Sequence, residues 1–134
     1  MAVAAPLIFA GNSIRSSPFE PGQLAVATAA NYGIAGNGRL QIVRLVEQAG
    51  GALTLDPVAS FDTNDGLYDC AWSEQRPRLC LSASGDGTLR MHCLDDARPV
   101  AAYSEHSAEA SGVSFNLVAK DTFASCSWDG TAKV

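Results

Sequence analysis

A chain of 134 residues with a formal net charge of −5, 47% hydrophobic and 17% charged, has the composition of a folded protein rather than a disordered tail. Its acidic balance argues against nucleic acid as the main partner, because holding phosphates takes a basic surface. No stretch approaches the roughly 20 apolar residues of a membrane span, so direct membrane insertion is not expected.

In chain order, the opening Met1 to Ala10 is apolar but short, lacks a basic start and contains Pro6. It superficially resembles a secretory leader, and a strand that helps close a ring explains it equally well. Short β-rich runs then recur with Pro, Gly, Asn or Asp between them, and no long window carries a helical period. They predict strands at 24–29, 40–46, 58–61, 67–72, 79–84, 88–93, 100–103, 112–115, 122–127 and 131–134. The fold class is therefore all-β. No linker, charge block or low-complexity tract separates domains.

Motifs that would carry chemistry are weak. Gly33-Ile34-Ala35-Gly36-Asn37-Gly38 looks like a phosphate loop, but neither a helix nor a Lys-Ser/Thr pair follows, as a nucleotide site requires. It reads as a hairpin connection. Asp62/Asp65 and Asp95/Asp96 are paired acids without an accompanying catalytic motif, and no G-x-S-x-G elbow occurs. Cys70, Cys80, Cys93 and Cys126 show no C-x-x-C spacing and only two histidines are available, so no zinc site or other metal is expected. The cysteines read as reduced thiols in a reducing compartment, mostly packed as small hydrophobes. No catalytic residue and no cofactor is indicated. The protein is not expected to be an enzyme.

The strongest signal is a repeat. Ser84-Gly85-Asp86-Gly87-Thr88-Leu89-Arg90-Met91 returns as Ser127-Trp128-Asp129-Gly130-Thr131-Ala132-Lys133-Val134, and the shift from Asp86 to Asp129 is 43 residues. The same shift carries Trp72 onto Phe115, and a weaker copy runs through Asn37-Gly38-Arg39-Leu40-Gln41-Ile42. A period near 43 lies in the 40–45-residue range of WD-repeat propeller blades. Asp86, Gly87 and Gly130 mark structural turns, and Asp-Gly suits a two-residue type I′ hairpin. Repeats are expected at about 14–46, 58–93 and 100–134. About three blades fit, whereas a closed propeller needs about 4–8. Val134 falls inside a blade's third strand, so the chain reads as the N-terminal, truncated part of a longer propeller.

In a WD blade the turn Asp, a His from the preceding loop, a Ser or Thr and a Trp form a buried hydrogen-bond tetrad. His106 would reach Asp129, with Ser125 or Ser127 as third member. A structural role outweighs a catalytic one, because no nucleophile accompanies them at a motif spacing. In the middle repeat His92-Cys93 stands where Trp-Asp is expected and Thr63 lies near the missing His, so that tetrad is expected to be incomplete.

Three segments are more specific than a generic WD repeat. They are the run from Leu24 to Gly38 with its Y-G-I-A-G-x-G, the run from Ser60 to Asp69 with its F-D-x-N-D-G-L followed by Trp72-Ser73-Glu74, and Tyr103 to Glu109. They resemble the receptor family for the type 2 peroxisomal targeting signal, the seventh peroxin, over about Ile14 to Val134. The resemblance implies a seven-bladed propeller acting as a soluble cargo receptor. Its cargo would carry an N-terminal signal helix: an Arg, an aliphatic residue, five further residues, then His or Gln followed by Leu or Ala. It implies an import co-receptor (the long form of the type 1 signal receptor, or a fungal-type co-receptor) and a peroxisomal docking complex. It also implies cycling between the cytoplasm and the peroxisome or glycosome matrix. Glu109 matches an acidic position that holds the signal's Arg in this family. Asp65 and Asp69 are expected in the corresponding loop of the preceding blade, within a run of acids from Asp56 to Glu74 that contains no Lys or Arg. The bland reading of that run is a solvated loop. The alternatives are a generic WD scaffold for a multiprotein complex, such as a ubiquitin ligase or chromatin assembly, and a propeller enzyme. The latter would need catalytic or metal residues converging on one face.

Overall fold

The computed structural model describes residues 2–33 and 36–134, and among them there is no α-helix. Among the described residues eleven strands form three antiparallel sheets, each hydrogen-bonded in chain order. The first holds β1 (Ala10–Ser16), β2 (Gln23–Ala29), β3 (Gly38–Glu47) and β4 (Leu53–Thr63). The second holds β5 (Leu67–Trp72), β6 (Leu79–Ser84), β7 (Leu89–Cys93) and β8 (Ala101–Tyr103). The third holds β9 (Ala110–Phe115), β10 (Phe123–Ser127) and β11 (Ala132–Lys133).

Two apolar layers hold the sheets face to face. Ala25, Ala27, Leu40, Ile42 and Phe61 of the first sheet pack on Leu67, Cys70, Trp72 and Cys80 of the second. Ala71, Leu81, Ala83, Leu89 and Met91 of the second pack on Ala110, Val113 and Phe115 of the third. Because β5 alternates, Cys70 and Trp72 go one way and Ala71 the other. The middle sheet is thus covered on both faces, which is why β5 and β6 read as almost uninterrupted buried runs. A fully buried side chain such as Leu81 contributes about 1.5–3 kcal/mol of burial free energy.

Two expectations need correction. Residues 2–9 are not a strand; the first strand begins at Ala10 and runs through the polar Gly11-Asn12-Ser13-Ile14-Arg15. It is held by backbone pairing with β2, from Ala10 opposite Ala29 to Ser16 opposite Leu24, so its side chains needed no apolar pattern. The Asp-Gly hairpins are not type I′ either, since that turn needs positive φ at both central residues. Only Gly87 and Gly130 are positive, each at 82°. Gly87 N–H donates to Ser84 O at 3.1 Å and Ser84 N–H to Thr88 O at 3.0 Å. That is a type I turn closed by a left-handed glycine bulge. A Cβ on Gly87 would also lie 2.6 Å from His106 O, so this turn needs Gly for its conformation and for the approach of the next sheet's loop. In the 33–38 segment, β2 and β3 pair as a hairpin from Gln23–Arg44 to Ala29–Gly38, while Ile34 and Ala35 lie outside the described residues.

The first strand of every sheet carries the same irregularity. The register skips Asn12 in β1, Tyr68 in β5 and Ser111 in β9. A bulge re-aims the side chain it carries, and all three sit at the end where β4–β5, β6–β7, β8–β9 and β10–β11 connect.

Candidate functional site

At that end of the third sheet, His106 is a buried bridge between Asp129 and Ser125. Its Nδ1 lies 2.9 Å from Asp129 Oδ2 and its Nε2 lies 2.8 Å from Ser125 Oγ. Asp129 also accepts the Ser107 N–H at 3.1 Å, the Thr131 N–H at 2.8 Å and the Thr131 hydroxyl at 2.6 Å. The Thr131 hydroxyl above all, with His106 and the two N–H groups, outweighs burial and holds this carboxyl well below the usual range. Ser127 is not the histidine's partner: its hydroxyl donates to Ala108 O at 3.2 Å and accepts the Asp129 N–H at 3.0 Å. Every polar atom of this set is occupied by fold-forming bonds, so the set locks the 104–109 loop onto the β10–β11 turn and leaves no group poised for chemistry.

The middle sheet solves the same problem differently. Its turn acid Asp86 accepts the Thr88 N–H at 2.9 Å and the Arg90 guanidinium at 2.9 Å. Burial raises the Asp86 carboxyl, and Arg90 and Thr88 together bring it down to about 2. Thr63, at the histidine's position, donates instead to Asp65 O at 2.7 Å. Ser82 meets His92 Nε2 at 2.9 Å. His92 is 1% exposed and lies against Phe61 with ring centroids 4.8 Å apart. Its Nδ1 and the Ser84 hydroxyl are buried without a hydrogen-bond partner among the described residues. Burial, helped by the Arg90 charge, pushes the imidazole down to about 4, so it stays neutral at physiological pH.

The three acids expected to bind cargo occupy two different environments. Asp69 is not a loop acid. It lies inside β5, 8% exposed, and ties all three sheets together. Its Oδ1 accepts from Ser13 Oγ at 2.7 Å, Arg15 at 3.1 Å and the Cys70 N–H at 2.9 Å, while Oδ2 accepts the Val113 N–H at 3.0 Å. The tight Asp65-Gly66 turn brings the chain into β5 sooner than the run of acids suggests. Another acid of that run, Asp62, is answered by a cation from elsewhere, Arg39, at 2.6 Å and 3.2 Å. Asp95 is likewise met by Arg78 at 2.7 Å.

Asp65 and Glu109 differ. Both sit partly exposed on connecting segments at the bulged end, and no ion pair among the described residues reaches either. Asp65 Oδ1 accepts the Gly66 N–H at 2.7 Å and would stand 3.0 Å from a Cβ on Gly85. Its loop is seated against Gly38, where a Cβ would come within 2.5 Å of Asp65 O. Glu109 O accepts the Trp128 N–H at 3.0 Å, which fixes the Glu109 segment beside the β10–β11 turn. Tyr68, on the β5 bulge, has its ring 5.5 Å from that of Trp128. Burial first, then the charges of Glu109 and Asp65, raise the Tyr68 phenol above its ordinary value. Tyr68 and Trp128 escaped the sequence reading. The available signal was a Trp directly before an Asp-Gly turn where the preceding copy has Gly85.

Among the described residues no cluster of His, Cys, Asp or Glu has the arrangement to hold a metal ion. Among the same described residues no helix is long and apolar enough to cross a membrane. The family model "WD domain, G-beta repeat" matches residues 55–92 and 97–134. Each match begins one strand before a sheet does, since it takes the last strand of one sheet with the first three of the next. The chain is 41% identical over 129 residues to the peroxisomal targeting signal 2 receptor of Dictyostelium discoideum, across 94% of the chain and 39% of that protein. It is 38% identical over 129 residues to peroxisome biogenesis protein 7 of Arabidopsis thaliana, covering 94% and 40%. It is 40% identical over 126 residues to the peroxisomal targeting signal 2 receptor of Homo sapiens, covering 92% and 38%. The chain thus spans about two fifths of the length of these curated relatives.

Proposed function

The chain belongs to the WD-domain, G-beta repeat family, and from that membership and its relatives' names we propose that it is part of a receptor for the type 2 peroxisomal targeting signal. The observation that carries this reading from the structure is the placement of Glu109 and Asp65. Both acids, unpaired by any cation among the described residues, lie on connecting segments at this end, Asp65 between the first and second sheets and Glu109 between the second and third, and the charges of both act on Tyr68. A cationic signal helix laid across that end meets complementary charge, which gives orientation and encounter rate, and its apolar side is read by the groove-binding mode common to short helices. Asp69 takes no part in this contact; it holds the sheets that present the other two acids.

The protein binds cargo with an import co-receptor, hands it to the peroxisomal docking machinery, and cycles between the cytoplasm and the peroxisome or glycosome matrix. It catalyses no reaction. A generic multiprotein scaffold would use the same fold, but the similarity to receptors over more than nine tenths of the chain favours the receptor.

The test is affinity. A synthetic signal helix carrying the Arg is titrated into the intact protein with its co-receptor, beside a scrambled peptide of the same composition. Selective binding of the ordered peptide is expected, and equal binding of both would overturn the reading.

A further inference from the structure

Trp128 is 64% exposed although it stands in a turn whose backbone is pinned. Its N–H is bonded to Glu109 O, and the Gly130 N–H closes the turn on Ser127 O at 3.2 Å. The Asp129 that follows is held by His106 and Thr131. A large aromatic ring is therefore held out at the surface by a rigid support. Its counterpart in the preceding repeat is Gly85, which makes room for the Asp65 carboxylate, so the ring is particular to this blade and no requirement of the turn. Tyr68 approaches it from the adjoining sheet at 5.5 Å between centroids, tilted by 50°, because the β5 bulge turns that side chain toward the loop end. The two rings thus form a corner that crosses the boundary between the second and third sheets, with Glu109 joined to it through the Trp128 backbone N–H and Asp65 on the turn that leads into β5 just before Tyr68.

We propose that the Trp128–Tyr68 corner is the element that selects arginine over lysine in the bound signal, by stacking the guanidinium on Trp128 while Glu109 and Asp65 supply the countercharge. The chemistry favours that one occupant. A guanidinium is planar and weakly hydrated, and it stacks on an aromatic face while its edge donates paired hydrogen bonds to a carboxylate. An ammonium is a strongly hydrated point charge that gains the carboxylate but little from the ring. A cation within about 6 Å of an indole centroid is attracted by the ring's quadrupole, more so where water is partly excluded. Tyr68 supports the indole edge and keeps its face presented. Any apolar segment seated on the same corner would leave the two acids without partners and gain nothing from them.

This inference rests on the receptor reading, and two peptides separate the fates of the two. One carries the signal's Arg and the other Lys at the same place; affinities are measured for the intact wild-type protein with its co-receptor and for the W128A, W128F and E109K variants. Wild type is expected to prefer the Arg peptide by about tenfold or more, and W128A to lose about tenfold for Arg while changing less than about threefold for Lys. W128F, which keeps a weaker aromatic face, is expected to fall between. If W128A keeps the wild-type preference, or loses both peptides equally, the selectivity inference is overturned; binding that E109K still abolishes would leave the receptor reading standing. If wild type binds neither peptide, both are overturned.

Discussion

The Asp69 carboxylate of the second sheet accepts the backbone N–H of Val113 in the third at 3.0 Å. Its other oxygen is taken by Ser13 and Arg15 of the first sheet and by the Cys70 N–H. One buried acid therefore joins all three sheets, beside bonds that link the first and second alone, among them Asn12 Nδ2–H to Leu67 O at 2.9 Å and Trp72 Nε1–H to Arg15 O at 3.0 Å. Asp69→Ala leaves the Val113 and Cys70 N–H groups buried without acceptors, each worth about 1–3 kcal/mol. Asp69→Asn is expected to be nearly as severe, because an amide turns one donor toward N–H groups that need acceptors. Urea unfolding of the intact protein checks both, and a shift under about 0.5 kcal/mol for either would remove Asp69 from this role.

His106→Ala is expected to destabilise the protein by about 1–3 kcal/mol, through the Ser125 hydroxyl it strands and the loop it releases. Ser125→Ala removes one bond to the same imidazole and should cost less. The pair form one network, so the double variant should be less destabilised than the sum of the singles. A double-mutant cycle in thermal or urea melts measures this directly.

His92 makes stability depend on pH. Its folded value of about 4 lies below the roughly 6.5 of an unfolded histidine. The unfolded chain therefore binds the proton first as pH falls, and stability declines with falling pH through that interval. The contribution is complete above about pH 6.5 and is lost progressively down to about pH 4, by roughly 3 kcal/mol in all. His92→Phe keeps the contact with Phe61, loses the bond to Ser82, and should flatten the dependence across that window. Urea midpoints at several pH values between 4 and 7.5 decide it.

Glu109→Lys should abolish binding of an Arg-bearing signal helix, since breaking one side of a partly buried charge pair costs about 2–5 kcal/mol, mostly in dissociation rate. Glu109→Gln should be milder, keeping an acceptor but losing the charge. An Arg-to-Glu change in the peptide should partly restore binding to Glu109→Lys. Peptide titrations at low and physiological salt are the measurement, and wild-type affinity in Glu109→Lys would take Glu109 out of the site.

Sequence by itself determined the all-β class, the 43-residue repeat and the strands that carry it, because a repeat forces equal spacing on every turn and every buried alternation. The spacing from His106 to Ser125 and Asp129 was legible for the same reason. What lacked a one-dimensional signal was decided across sheet boundaries. Strand β1 is polar because Asn12, Ser13 and Arg15 reach across to polar partners in the second sheet while its backbone pairs with β2. Asp69 resembles its neighbouring loop acids until Ser13, Arg15 and Val113, up to 56 residues away, close around it. Tyr68 meets Trp128 only because a bulge and a glycine-closed turn aim two rings at one another. Local periodicity encodes which residues face a core. The partner that a side chain meets from another sheet depends on how the sheets stack, and that is fixed by tertiary packing alone.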